Sequence, residues 1–156
     1  MAIVPQNEGK QRASGQIAIC PYGMDVDCMR VIEVYEYALS MLPSSRADDD
    51  SLRQYALMWV NSAMVEMFEA QNSIRASRGE EELIDIPWLE NEDEEIPYSD
   101  SLVRGALVWY LASLMAKDDD TDAWAVEYRN RYIVAVDESK KNIPTQIKDY
   151  YAASYE

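Results

Sequence analysis

The sequence predicts an all-α protein: a four-helix bundle with a long acidic loop between helices 2 and 3 and extended N- and C-terminal arms. Two observations carry this. Apolar residues recur every third or fourth position in four separate segments, the signature of helices with one buried face. Between those segments stand prolines, glycines and runs of acid, which stop helices. The 156 residues suit one domain with a single core.

Residues 1–24 hold three of the five glycines and no amphipathic pattern. They read as an arm, ordered only when something binds it. The bundle proper spans 25–141. Its first helix starts near Asp25 or Asp27 and runs to Leu42, with Met29, Ile32, Tyr35, Leu39 and Leu42 at helical spacing. The run "PSSRADDD" ends it and starts the second helix. There Leu52, Tyr55, Trp59, Ala63, Met67, Ala70 and Ile74 step by threes and fours, and Gly79 is the stop.

Residues 78–100, "RGEEELIDIPWLENEDEEIPYSD", carry nine carboxylates before Asp100: Glu80, Glu81, Glu82, Asp85, Glu90, Glu92, Asp93, Glu94 and Glu95. Pro87 and Pro97 exclude a continuous helix. Leu83, Ile86, Trp88, Leu89, Ile96 and Tyr98 are interspersed, so a short extended segment or hairpin is expected rather than a plain linker. Connections of this length in compact domains are usually functional or mobile.

Ser99 or Asp100 caps a third helix over about 101–117. From Gly105 to Ala116 it carries no charge. A helix that is apolar on all sides is buried on all sides. Either the other helices enclose it or a neighbouring subunit does, with Leu107, Trp109 and Tyr110 at the seam. The aspartates of "KDDDTDAW" end this helix and supply first-turn acids to the fourth, about 121–140. Trp124, Tyr128, Tyr132 and Ala135 mark its inner face. Residues 142–156 are broken by Pro144 and hold Tyr150, Tyr151 and Tyr155. Such aromatics bury large areas only against a partner surface.

The 29 acids against 14 bases and no histidine give a formal charge of −15. That disfavours phosphate neutralisation and hence simple nucleic-acid binding. Without histidine there is no Ser-His-Asp or Cys-His machinery, and the glycines of "SRGEE" and "VRGAL" are isolated rather than a phosphate loop. Two cysteines without histidine do not make a tetrahedral zinc site. No enzyme activity, cofactor or metal is expected. The favoured state of Cys20 and Cys28 is two reduced thiols, with a disulfide as the alternative. The N-terminus lacks a signal-type hydrophobic segment, and no stretch reaches the roughly 18–20 apolar residues of a membrane span. The expectation is a soluble protein made in a cytoplasm.

The helix order, the acidic Pro-containing loop and the pairing "DSLVRGALVWYLASLMAKDDDTDAWAVEYRNRYIVAVDESKK" resemble tailed-bacteriophage head-to-tail adaptor (neck, or head-completion) proteins. The "LMWVNSA" of helix 2 and the "EYRNRYIVAV" of the last helix carry the likeness, which covers about residues 25–141. The resemblance implies a virion neck protein that forms a ring, typically of twelve copies, between the portal and a tail or nozzle protein. Residues 142–156 would then dock on the portal through Ile147, Tyr150, Tyr151 and Tyr155. The loop acids Glu80, Glu81, Glu82, Glu92, Asp93, Glu94 and Glu95 would face the lumen or the next tail component. DNA would pass without being bound, since wall carboxylates repel phosphates within about 8 Å, one Debye length. The alternative is an acidic helical binding module, a DNA mimic or inhibitor that occupies the groove of a basic protein.

Overall fold

The computed structural model describes residues 28–42, 50–118 and 122–141. The N-terminal arm, the proposed helix start at Asp25 or Asp27, and the tail with Ile147, Tyr150, Tyr151 and Tyr155 lie outside the described residues. What is described is all-α. Helix α1 is Val31–Ser40 and α2 is Ala56–Arg78, entered through the 3-10 turn Arg53–Tyr55. The third rod, α3, is built from Asp100–Leu102, a π-helical turn Val103–Leu107 and Val108–Asp118. Helix α4 is Asp122–Lys141. Among the described residues there is no strand, only an isolated antiparallel bridge between Arg30 and Glu95.

That bridge explains why α1 begins later than its periodicity suggests. Met29 and Arg30 are committed to the connection after α2: the Ile96 N–H donates to the Met29 carbonyl at 3.0 Å. The first free N–H groups of α1 are then capped from the same connection. Val31 donates to the Glu94 carbonyl at 3.2 Å and Ile32 to the Glu92 carbonyl at 3.0 Å. Glu33 reaches back to accept from the Arg30 N–H at 2.8 Å, satisfying another orphan donor of the first turn. That backbone hydrogen bond, with the Arg30 guanidinium, holds the Glu33 carboxyl below its ordinary pKa. At its other end, α1 is closed by Tyr128 of α4, whose hydroxyl donates to the Met41 carbonyl at 3.0 Å.

Helix α2 stops where the glycine predicts. Gly79 sits at φ 73°, the left-handed region that side chains avoid, and its N–H and that of Glu80 close onto the carbonyls of Ala76 and Arg75. Ser99 stands at the N-cap position of α3, but its side chain does not cap it. Its hydroxyl and N–H instead both donate to Gln71 Oε1 at 2.8 Å.

The uncharged rod is the centre of the molecule. Helix α3 packs against all three other helices. Ala106, Leu107, Val108, Tyr110, Leu111, Ala112, Met115 and Ala116 are buried, together with Val34 and Tyr35 of α1 and Met64 and Met67 of α2. Leu107 and Tyr110 were expected at a subunit seam; both are spent inside this chain, because the helices that flank α3 close over those sides of it. Trp109 alone of the three keeps partial access. Some helical faces are also rotated from expectation. In α1 the buried face is Val31, Val34, Tyr35 and Ala38, with Ile32 and Leu39 at its margin. In α4, Trp124 is 51% exposed while Tyr128 and Tyr132 are buried.

Cys28 is disulfide-bonded, and Cys20 is the only other cysteine of the chain. The expectation of two reduced thiols is corrected accordingly. Cys20 itself lies outside the described residues.

Burial of Leu107 yields a test that separates core from seam. Leu107→Ala should lower the stability of the isolated chain by about 2–5 kcal/mol. The drop would be read as a lower urea midpoint that does not depend on protein concentration.

Candidate interaction surface

The connection of residues 79–99 is strapped along α2 rather than hanging from it, and three side-chain amides of α2 do the strapping. Asn61 and Asn72 are eleven residues apart, about three helical turns, so they share a face. Each forms a two-bond pair with the backbone of one leucine. Asn72 Nδ2 donates to the Leu83 carbonyl at 3.0 Å, and the Leu83 N–H donates to Asn72 Oδ1 at 2.9 Å. Asn61 does the same with Leu89, at 2.9 and 3.0 Å, and this pair is buried. Gln71 holds Ser99 at the return of the connection, and the Tyr98 hydroxyl donates to the Met64 carbonyl at 2.8 Å. The amides act as a substitute strand edge: they satisfy backbone groups that no neighbouring strand is present to satisfy. Arg75 adds a bond from Nε to the Glu81 carbonyl at 2.6 Å.

With Leu83 and Leu89 pulled inward, the residues between them turn out. Ile84 is 91% exposed and Trp88 69%, and Ile86 is exposed as well. Exposed carboxylates surround them. The seven loop acids singled out from sequence divide into two kinds. Glu80 pairs with Arg75 at 3.4 Å, Glu92 with Arg53 at 2.9 Å, and Asp93 with Arg30 at 3.7 Å. Glu94 folds back on its own turn, where its Oε1 accepts from the Asn91 N–H and amide. Glu95 bridges to Arg30 through the backbone. Glu81 and Glu82 remain exposed. The acids therefore do not form a uniform solvated brush; four of the seven are engaged through their carboxylates.

A second feature lies across α3 and α4. The Arg129 guanidinium lies against both rings of the Tyr110–Tyr132 pair, 5.0 and 4.9 Å from their centroids. It also donates to Glu66 Oε2 of α2 at 2.8 Å. Burial, and then the Glu66 carboxylate, push the Tyr132 hydroxyl well above the ordinary tyrosine pKa; Tyr110 is raised for the same two reasons. On the opposite flank of α4 an open groove of about 620 Å³ is lined by Trp109, Glu127, Asn130, Arg131, Val134 and Glu138, among others. Its cation is engaged: Arg131 stacks 4.9 Å from the Trp109 ring and pairs with Glu127 at 2.9 Å.

Among the described residues no group of three His, Cys, Asp or Glu side chains could hold a metal ion. None of their helices is long and apolar enough to cross a membrane. Comparison with protein-family models, with curated proteins and with solved structures finds no match to the chain.

The sequence reading singled out the acids but missed the amides that hold them and the outward row at Ile84, Ile86 and Trp88. An eleven-residue repeat of asparagine on one helix was the available signal. Asn61→Ala should leave both backbone groups of Leu89 without partners, at about 1–3 kcal/mol for each. The loss would be seen as a lower urea midpoint and faster amide exchange at Leu89.

The tyrosine pair sets an alkaline limit. Below the ordinary tyrosine pKa of 10.0 the buried neutral hydroxyls are fully accommodated. Above it the unfolded chain releases protons that folded Tyr132 and Tyr110 retain, so stability falls as pH rises. Tyr132→Phe should flatten that decline in denaturation curves taken from neutral to alkaline pH.

Proposed function

We propose that this chain is a structural adaptor of the neck of a tailed phage. In this reading it is a four-helix bundle with an acidic arm after its second helix. Copies assemble as a ring, dodecameric by resemblance, between portal and tail or nozzle protein. DNA passes through the ring without specific binding. The protein is made in the host cytoplasm and resides in the virion.

One observation carries the assembly part of this reading. After the core has closed, large apolar side chains remain on the outside: Met58 and Val65 of α2, Val126, Ile133 and Val134 of α4, and Ile84 and Trp88 of the strap. Scattered exposed apolar residues are ordinary. Two or three on each of three elements suit a protein whose surfaces are covered in use. The seam residues in a ring would thus come from the outer faces of α2 and α4, with Trp109, rather than from Leu107 and Tyr110. The segments that carry the family resemblance also do structural work in this chain. Asn61 of "LMWVNSA" pins Leu89, and Arg129 and Tyr132 of "EYRNRYIVAV" meet Glu66.

Mixing the purified chain with its portal ring tests this. Full-length chain should co-sediment with the portal, and removal of residues 142–156 should abolish that while leaving the unfolding midpoint unchanged. Tyr151→Ala should weaken it. Portal binding that survives the truncation would remove the docking role of the tail. A chain that ignores the portal and instead competes with DNA for a basic protein would be a mimic.

A further inference from the structure

From the strap we infer a second, preformed docking element: Ile84, Ile86 and Trp88 form an apolar ridge that packs against the apolar face of a lysine-rich amphipathic helix on another protein. Three observations lead there. The first is exposure. A tryptophan 69% exposed and an isoleucine 91% exposed, within five residues, have been left in water by a chain that buries most of its other large side chains. Exposed tryptophans are the residue type that most often dominates binding energy once a partner desolvates them.

The second is rigidity. The ridge is bracketed by the two-bond pairs at Leu83 and Leu89, each clamped to α2. A segment already held in its bound shape loses little conformational freedom on association. A floppy acidic loop would not need two asparagines spaced to grip it.

The third is charge. Glu81, Glu82, Asp85 and Glu90 are exposed beside the ridge and make no ion pair among the described residues. The complement is therefore cationic. The strap of a second copy laid on the ridge would bring these same exposed acids against acid, whereas the outer faces of α2 and α4 are free of that constraint. Nucleic acid would be repelled for the same reason. An apolar centre within a ring of charge is the usual anatomy of a specific interface, and complementary charge steers the encounter. The ridge makes this demand whether or not the chain sits in a phage neck.

The probe is an amphipathic helical peptide of leucine and lysine, with leucines along one face. It is titrated calorimetrically into the full-length protein, with polylysine as the purely cationic control. The peptide should bind saturably, more weakly as salt is raised. Trp88→Ala and Ile84→Ser, both at exposed positions, should each weaken it by about tenfold or more, with unfolding midpoints unchanged. Trp124→Ala, on α4, should leave affinity as it was. Polylysine should bind more weakly and be indifferent to Trp88→Ala. Equal affinity of the wild type and both ridge variants would overturn the inference, as would absence of peptide binding. A wild-type chain that self-associates, and becomes monomeric on Trp88→Ala, would overturn it in favour of a second copy.

Discussion

Everything about the long connection rests on the buried pair between Asn61 and the backbone of Leu89. Twenty-one residues of non-helical chain cross the face of a helix with no strand to pair with among the described residues. Their N–H and C=O groups must find partners or stay in water. A side-chain amide presents one donor and one acceptor with nearly the spacing of a peptide group, so an asparagine can stand in for a strand residue. Placed at 61 and again at 72, it turns one face of α2 into a two-rung ladder. Once Leu89 is fixed, Ile96 and Tyr98 follow into the core, and the carbonyls of Glu92 and Glu94 arrive at the start of α1. The first helix and the third are thus both tied to α2 through the same crossing.

The distribution of charge follows from that arrangement. The strap's pairs with Arg30, Arg53 and Arg75 are exposed or half-exposed, and each contributes little alone. Their effect is on placement: they fix which acids lie down and which stand free. Arg129 is half-buried, and its planar guanidinium faces two tyrosines while still donating to Glu66. A lysine would make the ion pair without the stacking. The result, among the described residues, is that Arg30, Arg53, Arg75, Arg129 and Arg131 are paired within the chain while Glu81, Glu82, Asp85 and Glu90 face outward.

Much of the fold was legible because it is periodic. The helical runs of α2, α3 and α4, the glycine stop at 79 and the central place of the uncharged rod all follow from spacing and composition. What was illegible depended on long-range pairing. Nothing local says that Met29 and Arg30 are claimed by residues 95 and 96, so the start of α1 was misplaced. Periodicity alone put Tyr55 and Trp124 inside, yet both lie at helix starts and stay about half exposed, each against one aromatic ring of its own helix. The enclosure of Leu107 and Tyr110 needed three other helices to be in position before it could be seen. The bonded state of Cys28 was the less favoured of the two alternatives that composition left open.

The π-helical turn at Val103–Leu107 has a consequence for how this chain can change length. Such a turn is an ordinary helix carrying one surplus amino acid. Deleting a residue there would let the rod relax into regular α geometry with both halves still facing as they do. A deletion anywhere else in the rod would swing everything after it by more than a quarter circle and throw apolar side chains into solvent. Related sequences that differ by a single gap in their third helix should therefore align with that gap beside Gly105.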